Sequence, residues 1–284
     1  MIRLGTSSYI IEDTLIENVR YLASLVDDIE LVLFETPESS NIPGIDEIHQ
    51  LNGLAAEHDL TYTVHLPMDA YPGSRDEKVR ISSVDLIVRV IERTRPLNPL
   101  SYIFHLTPEH YGAIPAENMH TWLAQSEKSV VDILRRTGID PFLLGVETLS
   151  YPLHLIDSII RCHGAGITLD IGHLHLMGYD VEDHIKRYAD RCRVFHLHGV
   201  DDGMDHLGLH RGDRRKIDRF LDLLESLDDG IERVVTLEVF DLESFEESMG
   251  VLHARQRGEK TGDLGDRGRT KWKKHVGGSV CPIP

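Results

Sequence analysis

Eight short runs rich in apolar and β-branched residues recur along this chain, and their recurrence limits the fold more than any other feature. They are RLGTSSY from Arg3, DIELVLFE from Asp28, TYTVHLP from Thr61, SYIFHLTP from Ser101, FLLGVETL from Phe142, GITLDIGH from Gly166, RVFHLHG from Arg193 and VVTLEVF from Val234. Between them, segments such as LIENVRYLASLV, VDLIVRVIERT, EKSVVDILRRTG, PLHLIDSIIRCHG and KIDRFLDLLESL space their apolar residues as one face of a helix. Near-continuous apolar strands, each followed by an amphipathic helix, predict a parallel sheet covered on its outer side. Eight such units in roughly 250 residues are the count and size of a (β/α)8 TIM barrel. An open doubly wound sheet is the competing architecture, but GTSSYIIED after the first strand has one glycine and no GxGxxG turn.

The barrel is expected over residues 1–252 as one catalytic domain. Residues 253–284, which include GEKTGDLGDRGRTKWKKHVGGSVCPIP, are Gly-rich and basic without hydrophobic periodicity and read as a disordered tail. That tail holds eight Lys/Arg against three Asp/Glu, leaving 22 basic and 44 acidic residues, a net of −22, in the first 252. Such a field repels a polyanion, because phosphate neutralisation supplies most non-specific nucleic-acid affinity, so no nucleic-acid partner is expected. No run approaches the length of a membrane span, and MIRLGTSSYI lacks the basic region and apolar stretch of a signal peptide. Cys162, Cys192 and Cys281 form no CxxC pair. These features predict a cytoplasmic protein with free thiols and no membrane partner.

In a barrel of this kind, functional residues gather at the C-terminal ends of the strands. The last residues of the predicted strands are His65, His105, Glu147, Asp170, His196 and Glu238, with His173 and His206 just beyond. Each is a possible metal ligand. A single strand histidine is usually structural, but eight ionisable groups at equivalent positions either lie in water or share a cation, since each buried unpaired charge costs several kcal/mol. Mixed imidazole and carboxylate donors without cysteine suit Zn(II), Mn(II) or Fe(II) rather than a structural zinc knot.

The order VHLP, FHLTP, VETL, LDIGH, FHLH and LEVF resembles the xylose isomerase-like barrel superfamily, which includes endonuclease IV and the sugar phosphate isomerases and epimerases. The resemblance implies one to three divalent ions. His65, His105 and Glu147 would bind one; Glu147 would bridge to a second held by Asp170, His196 and Glu238; His173 and His206 would take a third. The aspartate expected two residues before His206 is Met204, with Asp205 adjacent, so the third site departs from the pattern. His210 stands where the family has a glycine and is expected to reach the substrate.

The epimerase-like members resemble this chain only at Glu147, Asp170, His196 and Glu238. The glutamate and arginine with which they grip a ketose correspond here to Leu153 and Asp202. His65 and His105 instead favour the branch that cleaves phosphodiesters, with Glu147 and Glu238 as the catalytic carboxylates. In such chemistry one ion lowers the pKa of bound water while its neighbour neutralises phosphoryl charge. GTSSYIIEDTLIENVRYLASLVDDIELVLFE, LTYTVHLPMDAYPGSRD and RPLNPLSYIFHL further resemble the cobamide remodelling phosphodiesterases. That implies a corrinoid substrate of the coenzyme-B12 type, opened at its nucleotide loop to cobinamide phosphate and the lower-ligand riboside. A divalent-metal sugar or sugar-phosphate isomerase/epimerase is the alternative.

Three loops complete the expectations. Glu35, after the second strand, is expected to line the pocket; Tyr71, Arg75 and Arg80, after the third, to cover a bulky ligand or clamp a phosphate. His198 is expected beyond the barrel rim against substrate, and His175 away from the ions.

Overall fold

A computed structural model of the chain describes residues 1–257. In chain order the elements are β1 (Ile2–Ser7), α1 (Leu15–Leu22), β2 (Asp28–Val32), α2 (Ile45–His58), β3 (Thr61–His65), α3 (Glu77–Thr94), β4 (Tyr102–Phe104) and α4 (Met119–Thr137). Then come β5 (Leu144–Glu147), α5 (Asp157–His163), β6 (Gly166–Asp170), α6 (Ile171–Leu176), α7 (Val181–Tyr188), β7 (Cys192–Leu197), β8 (Gly199–Asp201), β9 (Met204–Leu207), α8 (Arg214–Glu225), β10 (Arg233–Leu237) and α9 (Leu242–Arg257). Eight strands close in the order β1-β10-β7-β6-β5-β4-β3-β2, every pair parallel, so the expected (β/α)8 barrel is what the chain forms.

Local chemistry starts and stops the helices. Thr14, Asp76, Asn118, Asp180 and Asp213 each accept a backbone N–H in the first turn of the helix they precede. Gly138 and Gly164 end α4 and α5 in the left-handed conformation that glycine adopts without strain.

Residues two apart on a strand share a face. One set of faces sends Ile29, Leu31, Tyr62, Val64, Leu169, Phe195, Val235 and Leu237 into the core beneath the helices, where Phe195 meets Phe220 of α8 at 5.5 Å between ring centroids. Each such large side chain contributes about 1.5–3 kcal/mol when fully buried. The alternate faces carry Asp28, Glu30, Thr63, His65, Thr168, Asp170, His196, Thr236 and Glu238, all buried. Both faces are covered, and the inner one mixes these polar groups with Val32, Ile103, Val194 and Val234.

Two details differ from the sequence expectation. DDGM, in a stretch where no strand is expected, turns a β8–β9 hairpin through Asp202 and Gly203 at φ 48° and 76°, the positive pair that a two-residue Asp-Gly turn favours. The domain boundary expected at 252 falls inside α9, which continues to Arg257. The rest of the expected tail, with Cys281, lies outside the described residues; Cys162 and Cys192 are free thiols. No described helix is long and apolar enough to cross a membrane.

Candidate metal centre

Seven barrel strands deliver a titratable side chain to one end of the barrel: Glu30 from β2, His65 from β3, His105 from just past β4, Glu147 from β5, Asp170 from β6, His196 from β7 and Glu238 from just past β10. They fall into groups whose donor atoms lie within 4.8 Å of one another. In the first, Nε2 of His105 is 2.8 Å and Nε2 of His65 is 3.4 Å from the same Glu147 oxygen, Oε2. In the second, Nδ1 of His196 faces Glu238 Oε2 at 3.0 Å, Glu147 Oε1 at 3.4 Å and Asp170 Oδ2 at 3.8 Å. Glu147 therefore belongs to both groups, one oxygen to each. The third group is Asp170, His173, His198 and His206. The expected ligands are thus brought together.

Asp205, and not Met204, faces the imidazoles of this region. Its two oxygens lie 3.1 Å from His206 Nδ1 and 3.7 Å from His173 Nε2, whereas Met204 is exposed on the hairpin.

The donor set fits a divalent cation. His196 Nδ1, Glu238 Oε2 and Glu30 Oε1 are buried and make no well-aligned hydrogen bond, although Nδ1 and Oε2 lie 3.0 Å apart. Buried polar atoms are nearly always satisfied, and leaving one unmade costs about 1–3 kcal/mol. Lone pairs converging without donors between them are what a metal ion accepts, and an all-nitrogen and oxygen set matches Zn(II), Mn(II) or Fe(II). The ring orientations agree. Nδ1 of His65 lies 2.9 Å from the Leu66 carbonyl and Nδ1 of His173 3.0 Å from that of Thr148, so both rings donate there and turn Nε2 inward.

Without metal, protons balance the carboxylates. Burial alone would lower His65, but the hydrogen-bonded Glu147 and the charges of Glu30 and Glu238 raise it to about 9. His206 rises likewise to about 10 against burial, through Glu238, Asp170 and Asp205. His196 is held well above its usual value by Glu238, Glu30 and Glu147, again against burial. Burial would raise Glu147 and Glu238, yet the facing imidazoles hold both well below the ordinary carboxylate range.

The residues expected to meet substrate have varied surroundings. Glu35 is ion-paired with Arg89 of α3, outside these groups. Arg80 is no phosphate clamp: it is buried and held by Glu77, Ser129 and Asp132. Tyr71 and Arg75 lie exposed on the loop after β3, and His210 is exposed in the short turn Leu209–Arg211. His198 does not reach beyond the rim; it is buried, with Nε2 3.1 Å from Asp170. His175 lies off the metal groups beside a small cavity with Asp213 and Lys216, its imidazole lowered to about 4 by burial and by Lys216.

Glu30 was not anticipated. Its Oε2 lies 2.9 Å from His196 Nε2, and with His65 and Glu238 it forms a further group of converging donors. The only trace in the sequence is a carboxylate inside the otherwise apolar IELVLF.

A family model described as a xylose isomerase-like TIM barrel matches residues 14–255. No curated protein matches the chain in sequence. Among solved structures, a D-tagatose 3-epimerase-like protein is similar at 22% identity and a TM-score of 0.71, covering 90% of this chain and 97% of that one. Endonuclease IV from Thermus thermophilus is similar at 16% identity and 0.64, covering 88% and 99%. The IolI protein, solved with a bound zinc atom, is similar at 16% and 0.64, covering 90% and 96%. At these identities the likeness is one of fold.

Proposed function

The chain belongs to the xylose isomerase-like TIM barrel family, and from that premise we propose that it is a metal-dependent phosphodiesterase. The observation that carries this reading is the sharing of Glu147 between the His65–His105 group and the Asp170–His196–Glu238 group. Two adjacent cation positions joined by one carboxylate suit an in-line displacement at phosphorus, in which bound ions acidify water and neutralise phosphoryl charge. His65, His105, Glu147, Asp170, His196 and Glu238 would hold them, with His173, Asp205 and His206 at a third position. Glu238, whose Oε2 makes no well-aligned hydrogen bond, would orient or deprotonate the attacking water. Glu147 sets the spacing.

The substrate we infer is a cobamide, cleaved in its nucleotide loop to cobinamide phosphate and the lower-ligand riboside. Support comes from the segments that resemble cobamide remodelling enzymes, from the acidic body that disfavours polyanions, and from the barrel mouth. Tyr9, Met68, Tyr71, Tyr111, Met204 and Phe240, on segments that follow β1, β3, β4, β8 and β10, are all exposed. Exposed apolar side chains on loops beside the site suit a ligand that carries an apolar face.

A second reading, a divalent-metal sugar or sugar-phosphate isomerase/epimerase, is favoured by the comparisons. None of the similar structures named above is described as acting on a corrinoid, and one is described as epimerase-like. Glu147 and Glu238, 3.4 and 3.0 Å from His196 Nδ1, would then move protons beside a carbonyl at a single ion. Incubating the zinc- or manganese-loaded protein with a coenzyme-B12-type corrinoid and separately with ketoses distinguishes the two. Release of the riboside is expected; ketose epimerisation without it would replace the phosphodiesterase reading with the second.

A further inference from the structure

We infer that His198 is a positioning residue that locks Asp170 in the orientation in which one carboxylate oxygen is left for metal, and is not itself a ligand. The inference rests on the reading of the site as a metal centre, but not on its substrate.

His198 continues the alternation of β7, two residues beyond His196, so both rings enter from the same face. A backbone N–H can only donate. That of His206 lies 2.9 Å from His198 Nδ1, which makes Nδ1 the accepting nitrogen and places the ring proton on Nε2. Nε2 points at Asp170, 3.1 Å from Oδ1 and 3.4 Å from Oδ2. Asp170 Oδ1 also accepts the His173 backbone N–H at 2.7 Å. Two donors hold Oδ1, and Oδ2 is turned toward His173 Nδ1 at 3.1 Å and His196 Nδ1 at 3.8 Å. The Gly199 carbonyl, 3.2 Å from His198 Nδ1, would receive a proton only in the opposite tautomer, the one that frees Nε2 to bind metal.

The pocket for the ring is built. His206 stacks on it at 4.4 Å between centroids and 16° between planes. On another side is Gly172 of α6, where an added Cβ would fall 1.9 Å from His198 Cε1. A methyl there cannot coexist with the ring in place. Because α6 begins immediately after Asp170, one backbone segment supplies both the carboxylate and the gap that admits its hydrogen-bond donor. The β8–β9 hairpin supplies the third contact through His206, whose backbone is left-handed at φ 51°. The hairpin thereby reaches the carboxylate through one imidazole.

The test uses zinc and the whole chain, and reads binding rather than turnover. His198→Leu and Gly172→Ala should each weaken zinc at the Glu147–Asp170–His196–Glu238 group about 10–100-fold in chelator competition, the usual effect of losing a partner that orients a ligand. The number of ions bound at saturation should not change. His198→Gln, whose amide can donate to Asp170, should recover most of the affinity. In the zinc-loaded wild-type protein, nitrogen NMR of the ring should find the proton on Nε2 and an unmetallated Nδ1. A zinc-bound Nε2 with the proton on Nδ1, or loss of one ion in His198→Leu that His198→Gln does not restore, would overturn the inference in favour of ligation. Unaltered affinity in both His198→Leu and Gly172→Ala would overturn it as well. None of these outcomes depends on whether the corrinoid or the ketose is turned over.

Discussion

Glu30 Oε2 sits 2.9 Å from Nε2 of His196 although 166 positions separate the two in the chain, and that contact turns His196 Nδ1 toward Glu238 and Glu147. A carboxylate on the far nitrogen of a ligand imidazole fixes its tautomer and raises its basicity. Glu30→Gln keeps the shape and removes the charge. Zinc affinity should fall about 10–100-fold by chelator competition; an unchanged value would show that His196 is oriented by something else.

Zinc binding should expel protons. In the metal-free protein His65 and His206 remain protonated to about pH 9 and 10, and His196 is also held above its usual value. Metal ligation requires neutral imidazole. Titration calorimetry near neutral pH in buffers of different ionisation enthalpy should therefore give binding heats that scale with the buffer, with release of two or more protons at saturation. Heats independent of buffer would mean the imidazoles are already neutral.

The same raised values set how the metal-free protein responds to pH. A histidine whose folded value lies above its unfolded one stabilises fully below the unfolded value, and that contribution disappears as pH rises through the folded one. For His65 the window runs from about 6.5 to about 9. The melting midpoint of the metal-free protein should fall across that window while that of the zinc-loaded protein changes little. A parallel fall in both would point to groups outside the centre.

Asp28 offers a separate test in the barrel interior. Burial raises its carboxyl to about 7, against the donated hydroxyls of Thr61 and Thr63 at 2.7 and 2.9 Å. An acid with a raised folded value favours folding below its unfolded pKa and loses that contribution as pH climbs through about 7. Asp28→Asn should leave stability near the unfolded carboxyl pKa of about 4 unchanged and raise it at about pH 8 by on the order of 4 kcal/mol. Denaturant unfolding at the two pH values reads the difference, and equal effects at both would refute it.

Arg80 should matter for stability and not for metal. Its guanidinium is buried and bonded to Glu77, Ser129 and Asp132, joining α3 to α4. Arg80→Ala is expected to cost roughly 2–3 kcal/mol, the usual range for hydrogen bonds to charged groups, with zinc affinity unaltered. A change in zinc affinity would return Arg80 to the functional face.

The barrel was legible because its signal is repeated eight times; each apolar run from Arg3 to Val234 overlaps a barrel strand. The gathering of the candidate ligands was legible for the same reason, since equivalent strand ends point to one place. Glu30 escaped because a strand covered on both sides shows no polar alternation, so nothing in IELVLF says which side of the sheet its carboxylate takes. His198 was misplaced because the sequence does not reveal how far the barrel wall extends past Leu197, and the hairpin that encloses the ring depends on two positive φ angles at Asp202 and Gly203. The ion pairs of Glu35 and Arg80 were hidden for a simpler reason. Their partners, Arg89 and Asp132, lie on helices far away in the chain, and only packing brings them together.

Barrel closure between β1 and β10 also has a consequence for the order of events at the ribosome. Glu238 follows the last barrel strand, and Glu30 can meet His196 only once β7 has taken its place. Contacts this distant in sequence are slow to form and come late in folding. A nascent chain that has not yet released β10 holds His65, His105 and Glu147 but lacks the carboxylate that completes the neighbouring group. A metal centre built on these groups would therefore be complete only after the whole barrel has left the ribosome, and stalled or truncated chains ending before β10 should bind zinc weakly even where their earlier strands have paired.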